Sequence, residues 1–299
     1  SALKVDVAVI GGGPAGLMAA EVLSSAGVAV HLFDAMPTVG RKFLLAGIGG
    51  LNLTHAEALP AFRSRYRHRA DACGRWLDAL PPQAVRDWAA GLGVDTLVGS
   101  SQRVFPTDMK AAPLLRAWLH RLRHPAAGVP VVFHMRHRWD GTLAPIAPAV
   151  ARAPTGESGA NAGPAYRLGF HTPAGPVAVR ADAVVLALGG GSWARLGSDG
   201  AWVPWLQAAG IEVWVCTASF VDVIQEIASN PAYGYHIPAA RVLGMELERD
   251  KRGAIKPQFR SGYDQTYGPG KSRTINRFLV SRHGHGPSMV AGDSKGDLE

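Results

Sequence analysis

The chain has 299 residues, is 47% hydrophobic and 18% charged, and carries a formal net charge of +8. That length suits one large domain or two moderate ones, and no apolar run approaches the roughly 20 residues of a membrane-spanning helix. The positive balance attracts anionic ligands, but the arginines form no stripe interleaved with aromatics, so neither nucleic acid nor a membrane is the expected partner.

Val5–Ile10 is a short apolar run that predicts a buried strand. It leads into Gly11-Gly12-Gly13-Pro14-Ala15-Gly16, a G-x-G-x-x-G turn, then a helix over Leu17–Ala26 and a second strand over Val28–Phe33 that ends on Asp34. Strand, glycine turn, helix and strand in this order make a dinucleotide-binding fingerprint. Gly11 permits the tight turn, Gly13 lets the backbone approach a pyrophosphate, and Gly16 lets the helix pack close to the strand. Pro14 and Ala15 complete the turn, and the helix start offers N–H groups and a partial positive charge to the phosphates. Asp34, 18 residues past Gly16, is placed to accept both hydroxyls of an adenosine ribose.

A turn with two cations, Arg41 and Lys42, follows, suited to neutralising phosphate charge. Then comes a glycine-rich stretch through Gly47, Gly49, Gly50, Asn52, Thr54 and His55, shaped as a loop around a ligand. Asn52 and Thr54 are candidates for hydrogen bonds to a heterocycle. Thr54 also reads as the N-cap of a helix over Ala56–Phe62 with Glu57 as capping-box partner. The cluster Arg63, Arg65, Arg67, His68 and Arg69 reads as a solvated face. Residues 71–93 predict two helices divided at Pro81 and Pro82, with Trp76, Leu77, Leu80, Val85 and Trp88 as their buried face. Short strands or loop are expected around Gly99. An amphipathic helix follows over Ala111–Leu122, with Asp108 as a candidate cap, and then a strand over Val129–Met135.

Residues 141–165 are rich in Ala, Pro and Gly and predict an exposed, flexible loop. Tyr166–Phe170 and Pro176–Arg180 predict a hairpin. Ala183–Leu188 is fully apolar, reads as a central parallel strand, and exits through Gly189-Gly190-Gly191-Ser192 toward the same nucleotide crevice. A helix over Ala201–Ala209 closes at Gly210. Cys73 and Cys216 are the only cysteines, without metal-ligand spacing, so a reducing cytoplasm is expected and no metal site or disulfide scaffold. The chain enters its first strand with no signal-peptide pattern.

VDVAVIGGGPAGLMAAEVLSSAG with FDAMPTVGRKFLLAG, then RVFPTDMKAAPLLRAWL, then ADAVVLALGGGSWARLGSDG, resembles a group of bacterial FAD-dependent flavoproteins. These are NAD(P)/FAD-dependent oxidoreductases, aminoacetone-oxidase-like, within the two-dinucleotide-binding-domain flavoprotein superfamily. The resemblance spans residues 4–212. It implies a Rossmann-like α/β FAD-binding domain with a parallel sheet and a β-hairpin insertion. It implies FAD as the held cofactor, NAD(P)H as electron donor, and a small-molecule substrate. By motif position Gly11, Gly13 and Gly16 would face the pyrophosphate and Asp34 the ribose. Arg41 and Lys42 would sit near ribose and phosphates, Gly47–Asn52 by the flavin ring, and Gly189 and Gly190 at a second contact. The strand with His137 and Arg138 would present backbone to the adenine. The loop reads GIGGLN where many relatives have GGGRCN, so the Arg-Cys pair is missing.

Residues 213–299 depart from that pattern, with weak periodicity and a basic end; residues 251–282 hold eight Lys or Arg and one acid, Asp264. GPGKS at Gly268–Ser272 is no P-loop, because position 265 is Gln rather than Gly. The tail is expected to be an atypical, truncated or frame-shifted remainder of a substrate domain, with a divergent fold as the other reading. No catalytic acid or base stands out. His55 is a candidate proton donor, and Arg103 and Lys110 are candidate substrate contacts; each also reads as capping, packing or solvated charge. Three rivals remain: a nucleotide-binding protein without turnover, expected if the C-terminal segment that closes over the flavin in relatives is missing; a basic interaction protein; and an NAD-only dehydrogenase, which would have no use for the loop at 40–52.

Overall fold

The computed structural model describes residues 2–66, 70–146, 165–190, 194–197, 200–208, 210, 212–230, 237–266 and 273–284. In chain order the main elements are β1 (Leu3–Ile10), α1 (Pro14–Ser25), β2 (Val30–Asp34), α2 (Arg41–Ala46), β3 (Thr54–His55), α3 (Leu59–Ser64), α4 (Ala70–Ala79), α5 (Pro82–Gly91), β4 (Thr96–Val98), β5 (Arg103–Pro106), α6 (Ala111–Arg123), β6 (Val132–Met135), β7 (Arg138–Ile146), β8 (Ala165–Thr172), β9 (Gly175–Leu186), α7 (Trp202–Ala208), β10 (Val215–Phe220), α8 (Val221–Ser229), β11 (Val242–Met245), β12 (Leu247–Arg249) and β13 (Ile255–Phe259). They form two compact units, the first from 1–57, 80–189 and 193–199, the second from 58–79, 190–192 and 200–299.

The first unit is built on a six-stranded sheet in the order β6-β2-β1-β9-β8-β7. The first four strands are parallel, with β8 and β7 added antiparallel. Ile10 lies beside Phe33 and Leu186, and Asp34 beside Met135, so four parallel strands end together at one edge. The chain order reverses across β1, and the carboxyl edge at such a switch point is where ligands bind in open α/β sheets.

One sheet face is covered by helices. Gly16, Leu17, Ala20 and Ser24 make the buried stripe of α1. Ala111, Leu114, Leu115, Trp118 and Leu122 make that of α6, at helical spacing. Both meet Val7, Val9, Val30 and Leu32, the residues of one parity along β1 and β2. The opposite parity of β2 carries Phe33, fully buried, whose ring stacks on Phe170 of β8 at 4.5 Å between centroids. The β7–β8 pairing slips between Trp139 and Leu143, a bulge that bends the antiparallel part of the sheet.

Several expectations are corrected here. The hairpin strand at 176–180 and the central strand at 183–188 are one strand, β9, which pairs with β8 on one side and β1 on the other. Residues 141–146 belong to β7, because they pair with β8 rather than loop out; 147–164 lie outside the described residues. Thr54 does not cap a helix over 56–62: it pairs with Val104, and the Ala56 N–H donates to Gln102 O, which holds this stretch in the β3–β5–β4 sheet until α3 begins at Leu59. Asp108 accepts from the Lys110 N–H two residues on and caps no helical N–H, α6 having no side-chain cap. Trp76 is 69% exposed and Leu80 43%, whereas Cys73 and Gly74 form the buried side of α4.

The second unit holds a β10-α8-β11 crossover whose two strands are parallel, packed on a small core of Val203, Ala228, Ile237 and Val242. β12 and β13 add an antiparallel hairpin. Arg63 of α3 donates to Gly74 O at 3.0 Å and to Asp78 Oδ2 at 2.6 Å, joining α3 to α4; Arg67, His68 and Arg69 lie outside the described residues. Cys73 and Cys216 form no disulfide. No described helix is long and apolar enough to cross a membrane.

Candidate functional site

The carboxyl edge of the first unit is shaped by glycines with different jobs. Gly11 takes φ 109°, and a Cβ there would lie 2.1 Å from Ala187 O. A Cβ on Gly16 would lie 1.9 Å from Gly11 O, so the start of α1 touches the turn backbone directly. Gly13 is different: a Cβ there would meet no atom of the described residues within 4 Å. Packing therefore accounts for Gly11 and Gly16 but leaves space over Gly13. Gly13 is the N-cap of α1, Pro14 opens the helix, and no side chain caps it. The first-turn N–H groups thus lack the side-chain oxygen that would ordinarily satisfy one of them, which suits an anion arriving from the open side.

Asp34 closes β2 beneath this turn. Its Oδ2 accepts the Gly12 N–H at 2.6 Å and its Oδ1 accepts the Met36 N–H at 2.7 Å. Burial pushes its carboxyl above the ordinary aspartate value, while the Met36 and Gly12 N–H groups and then Arg41 and Arg138 pull the other way. Each carboxylate oxygen has a second lone pair, so bracing the turn leaves acceptor capacity. The Gly40 N–H donates to Gly12 O at 2.8 Å, and Gly40, in the left-handed region at φ 68°, starts α2. Arg41 is the first residue of α2 and Lys42 the second; Arg41 reaches Thr38 Oγ1 at 3.5 Å, and its buried Nε has no hydrogen-bond partner.

The next stretch is positioned by α6 and β5. Gly47 is packed against Ala111, where a Cβ would lie 2.6 Å from the Ala111 Cβ; Gly50 takes φ 108° beside Met109; Gly49 faces open space. The Asn52 amide, with its nitrogen oriented to donate, bonds Thr54 O at 2.9 Å and Val104 O at 3.3 Å, bracing the β3–β5 pairing. His55 Nδ1 lies 3.3 Å from both Glu57 N and Glu57 Oε1. Which of the two the nitrogen meets depends on whether it carries a hydrogen: bare it accepts from Glu57 N, and with a hydrogen it can only donate. Arg103, opposite His55 in the β3–β5 pair, is exposed, as is Lys110 at the start of α6. Among the described residues no group of three or more His, Cys, Asp or Glu could hold a metal ion.

The first unit thus brings together Gly11, Gly13, Pro14, Ala15, Gly16 and Asp34 around one turn, with the Arg41 charge acting on the Asp34 carboxyl. Gly189, past β9, falls in the first unit, whereas Gly190 falls in the second. Sequence reasoning missed Gly40, whose N–H grips the turn, and a pair of histidines beneath it, His31 and His134, joined Nδ1 to Nε2 at 2.8 Å. The signal for the latter was a single polar residue inside each of two apolar strands.

The family model described as the HI0933-like protein Rossmann domain matches residues 5–232, well over half of the chain. The chain belongs to this family. HI0933-like Rossmann domains are FAD-binding flavoproteins, and the match continues past residue 212 to the end of α8. No curated protein matches the chain. Among solved structures it is similar to a conserved protein of unknown function from Anaerococcus prevotii (27% identity over 44% of this chain and 34% of that one, TM-score 0.32). It is also similar to p-nitrophenol 4-monooxygenase from Pseudomonas putida (17%, 66% and 44%, TM-score 0.33). A third is 3-ketosteroid-delta4-(5alpha)-dehydrogenase from Rhodococcus jostii (16%, 69% and 48%, TM-score 0.43). The chain spans less than half the length of each of these three. The assignment to the HI0933-like family rests on the family match and on the sheet itself.

Proposed function

We propose that this chain binds FAD over the Gly11–Gly16 turn and serves as an oxidoreductase for a small-molecule substrate, with NAD(P)H as reductant. The observation that carries the reading is the space over Gly13, at an uncapped helix start on the carboxyl edge of a parallel sheet. Among the described residues nothing requires glycine at position 13; the close approach of a pyrophosphate would.

Bound flavin supplies the hydride or electron chemistry. The chain's own residues bind and orient it. The first turn of α1 would face the pyrophosphate, with the Arg41 guanidinium and Lys42 adding positive charge. Asp34 would accept from ribose hydroxyls with the lone pairs it does not spend on Gly12 and Met36. The stretch Gly47–Asn52, with Gly49 open and Asn52 bracing its far end, would border the ring. His55, beside Glu57, would be a candidate proton donor there. Two cysteines without a disulfide support a cytoplasmic setting.

The test is anaerobic mixing of the FAD-loaded chain with NADH and with NADPH while flavin absorbance is followed. Bleaching by at least one of them is expected. A chain that holds flavin and is reduced by neither would instead be a nucleotide binder without pyridine-nucleotide turnover.

A further inference from the structure

The back of the β2–β6 pair carries a ladder of rings that the site above does not use. His31 and His134 stack at 5.1 Å between centroids and share the 2.8 Å Nδ1···Nε2 hydrogen bond. His134 stacks on Phe33 at 4.4 Å, and Phe33 on Phe170 at 4.5 Å. His137 leans edge-on against His134 at 5.3 Å. Two neutral imidazoles satisfy this geometry, one ring donating and the other accepting, and one added proton still allows N–H···N. Two imidazoliums cannot share it, because both nitrogens would then be donors.

His31 sits three residues before Asp34 on β2, and His134 one residue before Met135, which pairs with Asp34. Phe33 precedes Asp34, and its carbonyl accepts the Gly11 N–H at 2.8 Å. Beyond His134 the chain donates from Arg136 N to Met36 O at 3.1 Å and from His137 N to Asp34 O at 2.9 Å. Of the two strands that the pair joins, β2 ends on the carboxylate and holds the glycine turn, which leaves β1, through the Phe33 carbonyl. We propose that the His31–His134 pair is a proton-sensitive latch: closed, with at least one ring neutral, it holds β2 and β6 in the register that binds the dinucleotide, and protonation of both rings opens it and releases the nucleotide. This rests on the FAD reading above.

The charge environment agrees. Burial lowers the pKa of both rings; for His134, which burial and then the neighbouring His31 and His137 depress, it falls to about 4. Asp6 of β1 acts the other way on His31. From β8 the facing group is the uncharged Phe170. A ring released from the pair titrates near the ordinary value of about 6.5. The opened form therefore binds more protons than the closed one between about 6.5 and about 4, and nucleotide affinity is lost as pH falls through that window.

The experiment is the FAD dissociation constant of the full chain from pH 8 to pH 5, by flavin fluorescence, for the unsubstituted protein and for a His31→Phe/His134→Phe double variant that keeps the stacked rings. The expected result is a weakening of about tenfold between pH 7 and pH 5 in the unsubstituted chain, and a much flatter profile in the variant. Equal slopes in the two proteins overturn the latch alone. No FAD binding even at pH 8 overturns both the latch and the functional reading. Should the variant not fold, the imidazole NMR titration of the unsubstituted chain decides: linkage requires bound FAD to move the pair's midpoint to lower pH, and equal midpoints with and without FAD overturn the proposal.

Discussion

Gly13 and Gly16 stand three residues apart and answer to different demands. A methyl on Gly16 would collide with backbone of the same turn, which has no free end to swing away, and Gly16→Ala is expected to cost about 3 kcal/mol of stability. A methyl on Gly13 would meet nothing among the described residues. Gly13→Ala is therefore expected to change stability by less than about 1 kcal/mol yet to weaken nucleotide binding about tenfold or more, because the methyl fills the space a phosphate would approach. Urea unfolding of the apoprotein paired with FAD titration separates the two effects; equal loss of stability in both variants would contradict this division. The glycine spacing and Asp34 were legible because such a turn is local, its geometry fixed within six residues. Gly40 was not, because its role is a hydrogen bond to Gly12 across 28 positions, and nothing local to Gly40 announces it. Asp34 shows the same limit: its position was legible, but not that Gly12 and Met36 already occupy one lone pair on each oxygen.

At the scale of elements, helices with a clear apolar stripe were legible and polar bridges between them were not. α1, α5 and α6 meet through Glu21, whose Oε2 accepts from Trp118 Nε1 at 2.6 Å and Trp88 Nε1 at 3.1 Å, while its Oε1 pairs with Arg121 at 2.5 Å. Sequence periodicity marks both tryptophans as apolar body and says nothing about their indole N–H groups. Trp118 is 2% exposed, so Glu21→Ala leaves its donor without protein or water. The expected cost is about 2–4 kcal/mol in urea unfolding, with Glu21→Gln, which keeps one acceptor oxygen, losing clearly less. An alanine variant as stable as the parent would contradict this role. The same limit explains the misread strands. Residues 176–180 and 183–188 differ in polarity pattern because β9 changes neighbours along its length, half of it paired with β8 alternating and the rest apolar. Thr54 has the residue type of an N-cap, but pairing with β5 claims its backbone first.

For the whole molecule, the parallel α/β architecture of the first unit was legible from the fingerprint and the apolar run at 183–188, and the HI0933-like family match agrees with it. The second unit was scarcely legible: its small core draws on residues from 203 to 242, spread over short elements whose apolar faces are too brief for periodicity to register. The proposed chemistry depends on the cofactor that the first unit is shaped to hold. The most direct measurement is the absorbance spectrum of the purified chain, before and after added FAD, with identification of the nucleotide released by acid. Flavin absorption bands and released FAD are the predicted result. A colourless protein that takes up no added FAD, or one that releases a different nucleotide, would contradict it.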